Sequence, residues 1–385
     1  MEQMQNLPLY ISDPVYNKET ISGYTSYTLQ GSRAPNPMSR RYKDFDALRL
    51  KLRERWPGIY IPPIPHKKVF GNTEKDIVEE RIKIINKFLL KLSKIPYLYN
   101  SEEIELFLQN TPEVSKTLAN CKAQNYNDIL RKYVQTFTNF DENFESEIER
   151  QQQEKFFQHI KKILPNLTEF IIIIDRNRTN FNESRIKYNE CFNAMIYYEK
   201  ETMYEMTNKE EEKLIFCNTN NTEINENLKR FQNYVKNPFE KLYLEIVEDL
   251  LETEAMIEAY DSIKNLENIL MKLKKKLTSL NVQIVDLQSG KTTIKSILSF
   301  KNKEEKISAL STEKEVTEKN IQDLEKILRY TIFNMKNEIK KFKEFSIDKY
   351  FNELASIVTE TEKNEQKNND IWESILKNNN IVNTN

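Results

Sequence analysis

Histidine is nearly missing from this chain of 385 residues, which holds only His66 and His159, so histidine-based acid–base catalysis has little material. Cysteine is almost as scarce. Cys121, Cys191 and Cys217 have neither the paired spacing of a disulfide framework nor the clustering of a metal site, which fits a reducing compartment. Five glycines supply no phosphate-cradling loop beyond residue 71. The longest apolar run, residues 170–174, is far short of the roughly 20 residues that cross a bilayer, and the first residues lack a signal-peptide pattern. No enzyme, metal or cofactor is expected, and the implied setting is cytoplasmic, with any membrane contact peripheral.

What is present is unevenly spread. Four of the five glycines and nine of the twelve prolines precede residue 97, so turn-rich structure gives way to long helices. Charge is dense but balanced to a net of -1, which argues against a general nucleic-acid binder. Residues 1–110 nevertheless carry 17 Lys and Arg against 13 Asp and Glu, and residues 33–68 hold ten cations and three anions. Such a patch implies an anionic partner.

In the first third, residues 9–11, ended by the turn signal Ser12-Asp13-Pro14, and 23–29 read as strands, the second with period-two alternation, and residues 38–42 as a third, giving a small antiparallel sheet. Phe45, Leu48, Leu52 and Trp56 recur at helical spacing and are closed by Pro57 and Gly58. Pro62, Pro63 and Pro65 forbid a helix and predict an extended arm. Helical spacing resumes over residues 76–92 and again at Ile104, Phe107 and Leu108. Cys191 falls at a core-like helical position.

Three pieces taken together, Arg40-Arg41-Tyr42 with Phe45, Pro62-Pro63 with Pro65 and Lys67, and Glu80-Arg81 with Phe88-Leu89, resemble the Phox-homology (PX) domain in order, spacing and length. The resemblance covers about residues 7–110. It implies an α+β domain, a three-stranded antiparallel sheet with helices and a Pro-rich loop, and a pocket for phosphatidylinositol 3-phosphate. A guanidinium matches the forked oxygens of a phosphomonoester, so Arg41 fits the 3-phosphate. By the resemblance, Tyr42 lies against the inositol ring, Lys67 reaches the 1-phosphate and Arg81 bonds the ring hydroxyls. Arg40, one residue earlier on a strand, points to the other face as a surface or packing cation. His66 stands where the family often has glycine; it is either a solvated loop histidine or, in a membrane-facing loop, a source of pH dependence. Lys68, Val69 and Phe70 are further candidates for membrane contact.

Between residues 113 and 144 lies a connector with an amphipathic helix at about 127–140, whose face carries Ile129, Leu130, Tyr133, Val134, Phe137 and Phe140. This helix either lies in a bilayer interface or docks on the domains either side. Residues 145–385 hold three helical tracts: 145–216, kinked or restarted at Pro165; 223–288, bent at Pro238; and 303–378. Apolar seams run from Ile263 through Leu266, Leu270, Leu273, Leu277, Leu280 and Ile284 to Leu287, and from Ile321 through Leu324, Leu328, Ile332, Met335 and Ile339 to Phe342.

With a PX-like domain (residues 1–112) ahead of it, this architecture resembles the PX-BAR sorting nexins. The resemblance implies an all-α BAR domain at 145–385, three long antiparallel helices that pair as a homodimer or heterodimer into a curved rod. It further implies a peripheral endosomal protein that recognises phosphatidylinositol 3-phosphate, senses or generates curvature in cargo sorting and retrograde transport, and joins a retromer-like complex or cargo. Lysines 272, 274, 275, 276, 291, 295, 301 and 303 gather at the second helix turn, with Lys291, Lys295 and Lys301 the candidates for tip contact and a solvated helix face as the competing account. A coiled-coil adaptor whose PX domain binds a protein or cargo is the alternative function.

Overall fold

The computed structural model of the chain describes residues 8–17, 23–66, 74–111, 113–141, 144, 146–203, 235–289 and 303–378. Three strands form one antiparallel sheet in the order β1-β2-β3: β1 is Tyr10–Asn17, β2 Tyr24–Gly31 and β3 Ala34–Arg41. Ile11 pairs with Leu29 and Leu29 with Met38, while Tyr27 pairs with Arg40, so this row faces one side of the sheet. The first strand runs past the expected stop at Ser12-Asp13-Pro14. Asp13 takes a φ of 46° and the register shifts between Ser12 and Val15, so the turn signal becomes a bulge. Pro35 and Pro37 lie within β3, which is tolerable because β3 is an edge strand.

Helix α1 (Tyr42–Arg55) begins directly at the end of β3 and packs Phe45, Leu48 and Leu52 under the sheet. Helix α2 (Glu74–Ser93) adds Ile85, Phe88, Leu89 and Leu92. Asn86 ties α2 to the sheet by accepting from the Ile11 amide (2.7 Å) and donating to the Ile11 carbonyl (3.1 Å). Short helices α3 (Pro96–Tyr99), α4 (Glu102–Phe107) and α5 (Val114–Ala119) close the layer, with the Phe107 ring 5.2 Å from that of Phe45.

Helix α6 (Tyr126–Thr136) is capped by Asn125, whose side chain accepts from the Asp128 amide. Its apolar face is docked. Ile129 and Tyr133 are buried, Leu130 and Phe137 pack against the same core, and the Tyr133 ring stacks on Trp56 while its hydroxyl donates to the Pro57 carbonyl at 2.6 Å. Of the residues expected to contact a membrane, Ile129, Leu130, Tyr133 and Phe137 are packed in this core while Val134 of the same face stays half-exposed, so docking is the arrangement observed.

Three long helices follow: α7 (Ser146–Tyr197), which continues into a π-helical turn at Tyr198–Met203, α8 (Phe239–Gln288) and α9 (Lys303–Asn378). Helix α7 runs through Pro165 without restarting. Pro238 does not bend a helix but precedes one, since the Asn237 side chain accepts from the Phe239 amide and α8 starts there. The sequence seams are buried at Ile263, Leu266, Leu280, Leu324, Leu328, Ile332 and Met335. Cys191 is exposed and Phe192 is buried instead, so that expectation slips by one residue, a turn of about 100° on a helix.

Two compact units emerge, and they cut across the long helices. The first comprises Met1–Ile163 and Leu251–Phe342, the second Leu164–Leu250 and Lys343–Asn385. Within the first, Arg150 meets Glu267 and Lys161 meets Asp261, so α7 and α8 run antiparallel. Within the second, Arg178 bridges Asp175 and Glu240 and covers the Tyr243 ring at 4.0 Å. Ile172, Tyr197, Tyr198 and Val358 of this second unit are exposed, Val358 to 68%.

Gly58 sits where the first unit is tightest. Its φ is +76°, and a Cβ there would lie 2.8 Å from Thr331 Cγ2 and 3.1 Å from Ile263 Cγ1. Gly58→Ala combines left-handed strain with a clash against two long helices and is expected to cost about 1–3 kcal/mol, read as a lowered denaturation midpoint. An unchanged midpoint would show that the loop can withdraw from α8 and α9.

Candidate functional site

The basic patch read from residues 33–68 is largely spent inside the protein. Arg33 pairs with Glu105, Arg49 and Arg53 with Glu258, Lys51 with Glu54, and Arg55 with Glu102 and Glu103. Arg40 is 2% exposed and donates to the carbonyls of Phe107 (2.8 Å), Gln109 (2.8 Å) and Ser39 (2.7 Å), over the Phe107 ring. Burial lowers its pKa, with Asp44 opposing. Of the two readings of Arg40, packing rather than surface is the one observed.

Arg41 is treated differently by the same backbone. Strand alternation turns it to the opposite face, where its guanidinium lies 3.3 Å over the centroid of Tyr24. Its backbone amide donates to Asp44 Oδ2 (2.9 Å), the hydrogen bond that starts α1 and fixes the strand-to-helix corner. A guanidinium stacked through its face keeps its N–H edge for a planar or forked anion. Among the described residues Arg41 has no ion-pair partner.

Tyr42 follows at the first position of α1. Its hydroxyl donates to the Pro65 carbonyl at 2.5 Å, which ties the ring to the proline arm. Burial pushes this hydroxyl up to about 12, with Asp46 adding to the effect and Arg81 and Arg49 opposing it, so it remains a neutral donor at physiological pH. Arg81, on α2, places its guanidinium carbon 5.1 Å from the centroid of Tyr42 and beside the Tyr27 hydroxyl, whose pKa is raised by burial and lowered by Arg81. Tyr42 thus joins the proline arm to Arg81 of α2, and Arg41 stands one residue before it where β3 meets α1, its guanidinium on Tyr24. Lys67, Lys68, Val69 and Phe70 lie outside the described residues, as do Lys291, Lys295 and Lys301.

Residues 31–111 match the PX domain family. The chain carries a PX domain. Vps5 of Schizosaccharomyces pombe, a vacuolar protein sorting-associated protein, is 34% identical over 112 residues, which cover 26% of this chain and 19% of that protein. Human sorting nexin-30 is 32% identical over 117 residues, covering 28% of this chain and 27% of that protein. The matches therefore span about a fifth to a quarter of these relatives. Over 96% of its length the chain superposes on the SNX-BAR Mvp1 tetramer structure with a TM-score of 0.60 at 15% identity, covering 99% of that chain. It has the fold of a PX-BAR sorting nexin: a three-stranded antiparallel sheet with helices, followed by a helical region.

The sequence did not mark Tyr24 as the ring beneath Arg41, nor Arg49 as the residue that holds the proline arm through the Pro62 carbonyl (2.9 Å). An aromatic in β2, the strand paired with β3, was the available signal for Tyr24. The neighbours Arg40 and Arg41 should respond oppositely to truncation. Arg40→Ala leaves buried carbonyls without donors, at about 1–3 kcal/mol each, and is expected to lower the thermal midpoint sharply. Arg41→Ala should leave it nearly unchanged, and an equal drop in both variants would contradict the division of roles.

Proposed function

We propose that the protein is a phosphoinositide-binding sorting nexin that uses Arg41, Tyr42 and Arg81, with Lys67 from the arm, to bind phosphatidylinositol 3-phosphate on endosomal membranes. The observation that carries this reading is the end of β3: on a PX domain, Arg41 lies on Tyr24 with its N–H edge uncommitted, and the residue after it, Tyr42, is flanked by the Arg81 guanidinium. A forked phosphate and an apolar inositol face have matching counterparts there. No helix among the described residues is long and apolar enough to cross a membrane, consistent with a peripheral mode.

In this reading, the BAR-type helices supply pairing and response to curvature in cargo sorting and retrograde transport. The exposed apolar side chains of the second unit, Ile172, Tyr197, Tyr198 and Val358, support burial against a second copy or another PX-BAR chain. Two headgroup sites in one dimer multiply weak binding through effective concentration. Lysines at the turn after α8 and the segment 68–70 are proposed as further membrane contacts, and a retromer-like complex or cargo as the wider partner. Lys274 and Lys276 contribute less, because Glu325 and Glu313 already pair with them.

Vesicle co-sedimentation with and without phosphatidylinositol 3-phosphate tests the pocket. Arg41→Gln is expected to weaken lipid-dependent binding by about 2–5 kcal/mol, the range for removing one partner of a hydrogen-bonded charge pair. Undiminished binding by that variant would remove the pocket assignment, and wild-type indifference to the lipid would favour a protein ligand for the PX domain. Light scattering is expected to give twice the 46.0 kDa chain mass at micromolar concentration, and a monomer there would rule out BAR pairing.

A further inference from the structure

The proline arm is held as much by the long helix α8 as by its own domain. Residues 59–65 are buried, and contacts along them reach α8 in succession. The Gly58 amide donates to Ser262 Oγ (2.9 Å), the Tyr60 hydroxyl donates to Glu252, Arg49 links the Pro62 carbonyl to Glu258 (2.6 Å), and His66 Nε2 meets Glu254 Oε2 at 2.9 Å. These α8 positions spread over about half the helix circumference at 100° per residue, so the arm wraps the helix. Ala255 and Ala259, both buried between them, keep the helix surface low enough for that approach.

The last of these contacts adjoins the candidate site. Tyr42 donates to the Pro65 carbonyl, and the next residue, His66, is the one paired with Glu254. A continuous series of bonds therefore runs from the ring expected to face the headgroup, through the arm, to α8. Lys67, one residue further on, is the arm's expected phosphate ligand.

We propose that Glu254 is a positioning residue of the lipid site: through its ion pair with His66 it fixes the end of the proline arm, and so gives lipid binding a pH dependence. This rests on the phosphoinositide reading of the site. The groups facing His66 are Glu254 and Glu258 from α8 and Arg49 from α1. Glu254 raises the imidazole pKa mainly through the hydrogen bond, against burial and with Glu258 in support and Arg49 opposing. With the folded pKa raised, the pair is charged and complete below the ordinary value of about 6.5, and it is lost as pH rises through the raised value. The site is tighter in mildly acidic conditions.

A competing account has His66 acting as one more cation near an anionic surface, and the two accounts give opposite signs. If Glu254 positions the arm, Glu254→Gln weakens binding at mildly acidic pH. If charge alone matters, removing an anion beside the site strengthens it. The test uses the full chain and phosphatidylcholine vesicles with and without phosphatidylinositol 3-phosphate, at about pH 6 and about pH 8, which bracket the histidine titration. Because the lipid's own phosphomonoester also titrates in this range, the readout is the ratio of wild-type to variant affinity at each pH. Glu254→Gln and His66→Gln are each expected to bind about 2–5-fold more weakly than wild type at the lower pH, the size of a half-exposed ion pair, and to match wild type at the higher, with no further loss in the double variant. Tighter binding by Glu254→Gln, or a ratio that is the same at both pH values, overturns the proposal and leaves the lipid site standing. Wild-type binding that ignores the phosphoinositide at both pH values sinks the site reading itself.

Discussion

One backbone constraint governs the N-terminal domain: successive residues of an extended strand face opposite ways, and the strand β3 ends on two arginines. The inward one, Arg40, must satisfy its charge inside the protein and does so on carbonyls at the end of α4, which locks the sheet to the helical layer. The outward one, Arg41, is left to the surface, laid on Tyr24, with its amide already spent on Asp44. Shifting the register by one residue would exchange a structural cation for a binding cation. Everything proposed for the site depends on that register.

The same economy runs through the rest of the basic segment. Of ten cations between residues 33 and 68, Arg33, Arg49, Arg53 and Arg55 are held by carboxylates brought from α4 and α8 and Arg40 by backbone carbonyls, so half of a patch that looks attractive to any anion in sequence is already engaged in the fold. The long helices do more than add length. Glu252, Glu254 and Glu258 meet the proline arm and Arg49 from outside the PX domain, so this loop is held by a part of the chain almost 200 residues away.

Much of the fold was legible because its signals are local. The seam from Ile263 to Leu287, the helix through Phe45 and Leu52, and the sheet with its proline arm follow from period and punctuation alone. Errors arose where a local signal met a tertiary contact. Ser12-Asp13-Pro14 signals a turn, but pairing with β2 continues past it as a bulge. Tyr133 and Ile129 make a face suited to a bilayer, yet Trp56 and Pro57 were close enough to cover it. Glu254 carried no signal at all, since an acidic helix position looks solvated until the histidine that meets it is placed. Arg41, Tyr42 and Arg81 were named from motif spacing, and the contact of Arg81 with Tyr42 needed the fold.

The edges of the small sheet have a separate consequence. On β3, Pro35 and Pro37 remove two amide donors, while on β1 the bulge around Asp13 and Pro14 interrupts the ladder and the Asn86 side chain occupies both the amide and the carbonyl of Ile11. An extended peptide seeking to add itself as a fourth strand finds few main-chain groups to pair with on either side. Along these stretches strand addition and edge-to-edge pairing both meet interrupted ladders.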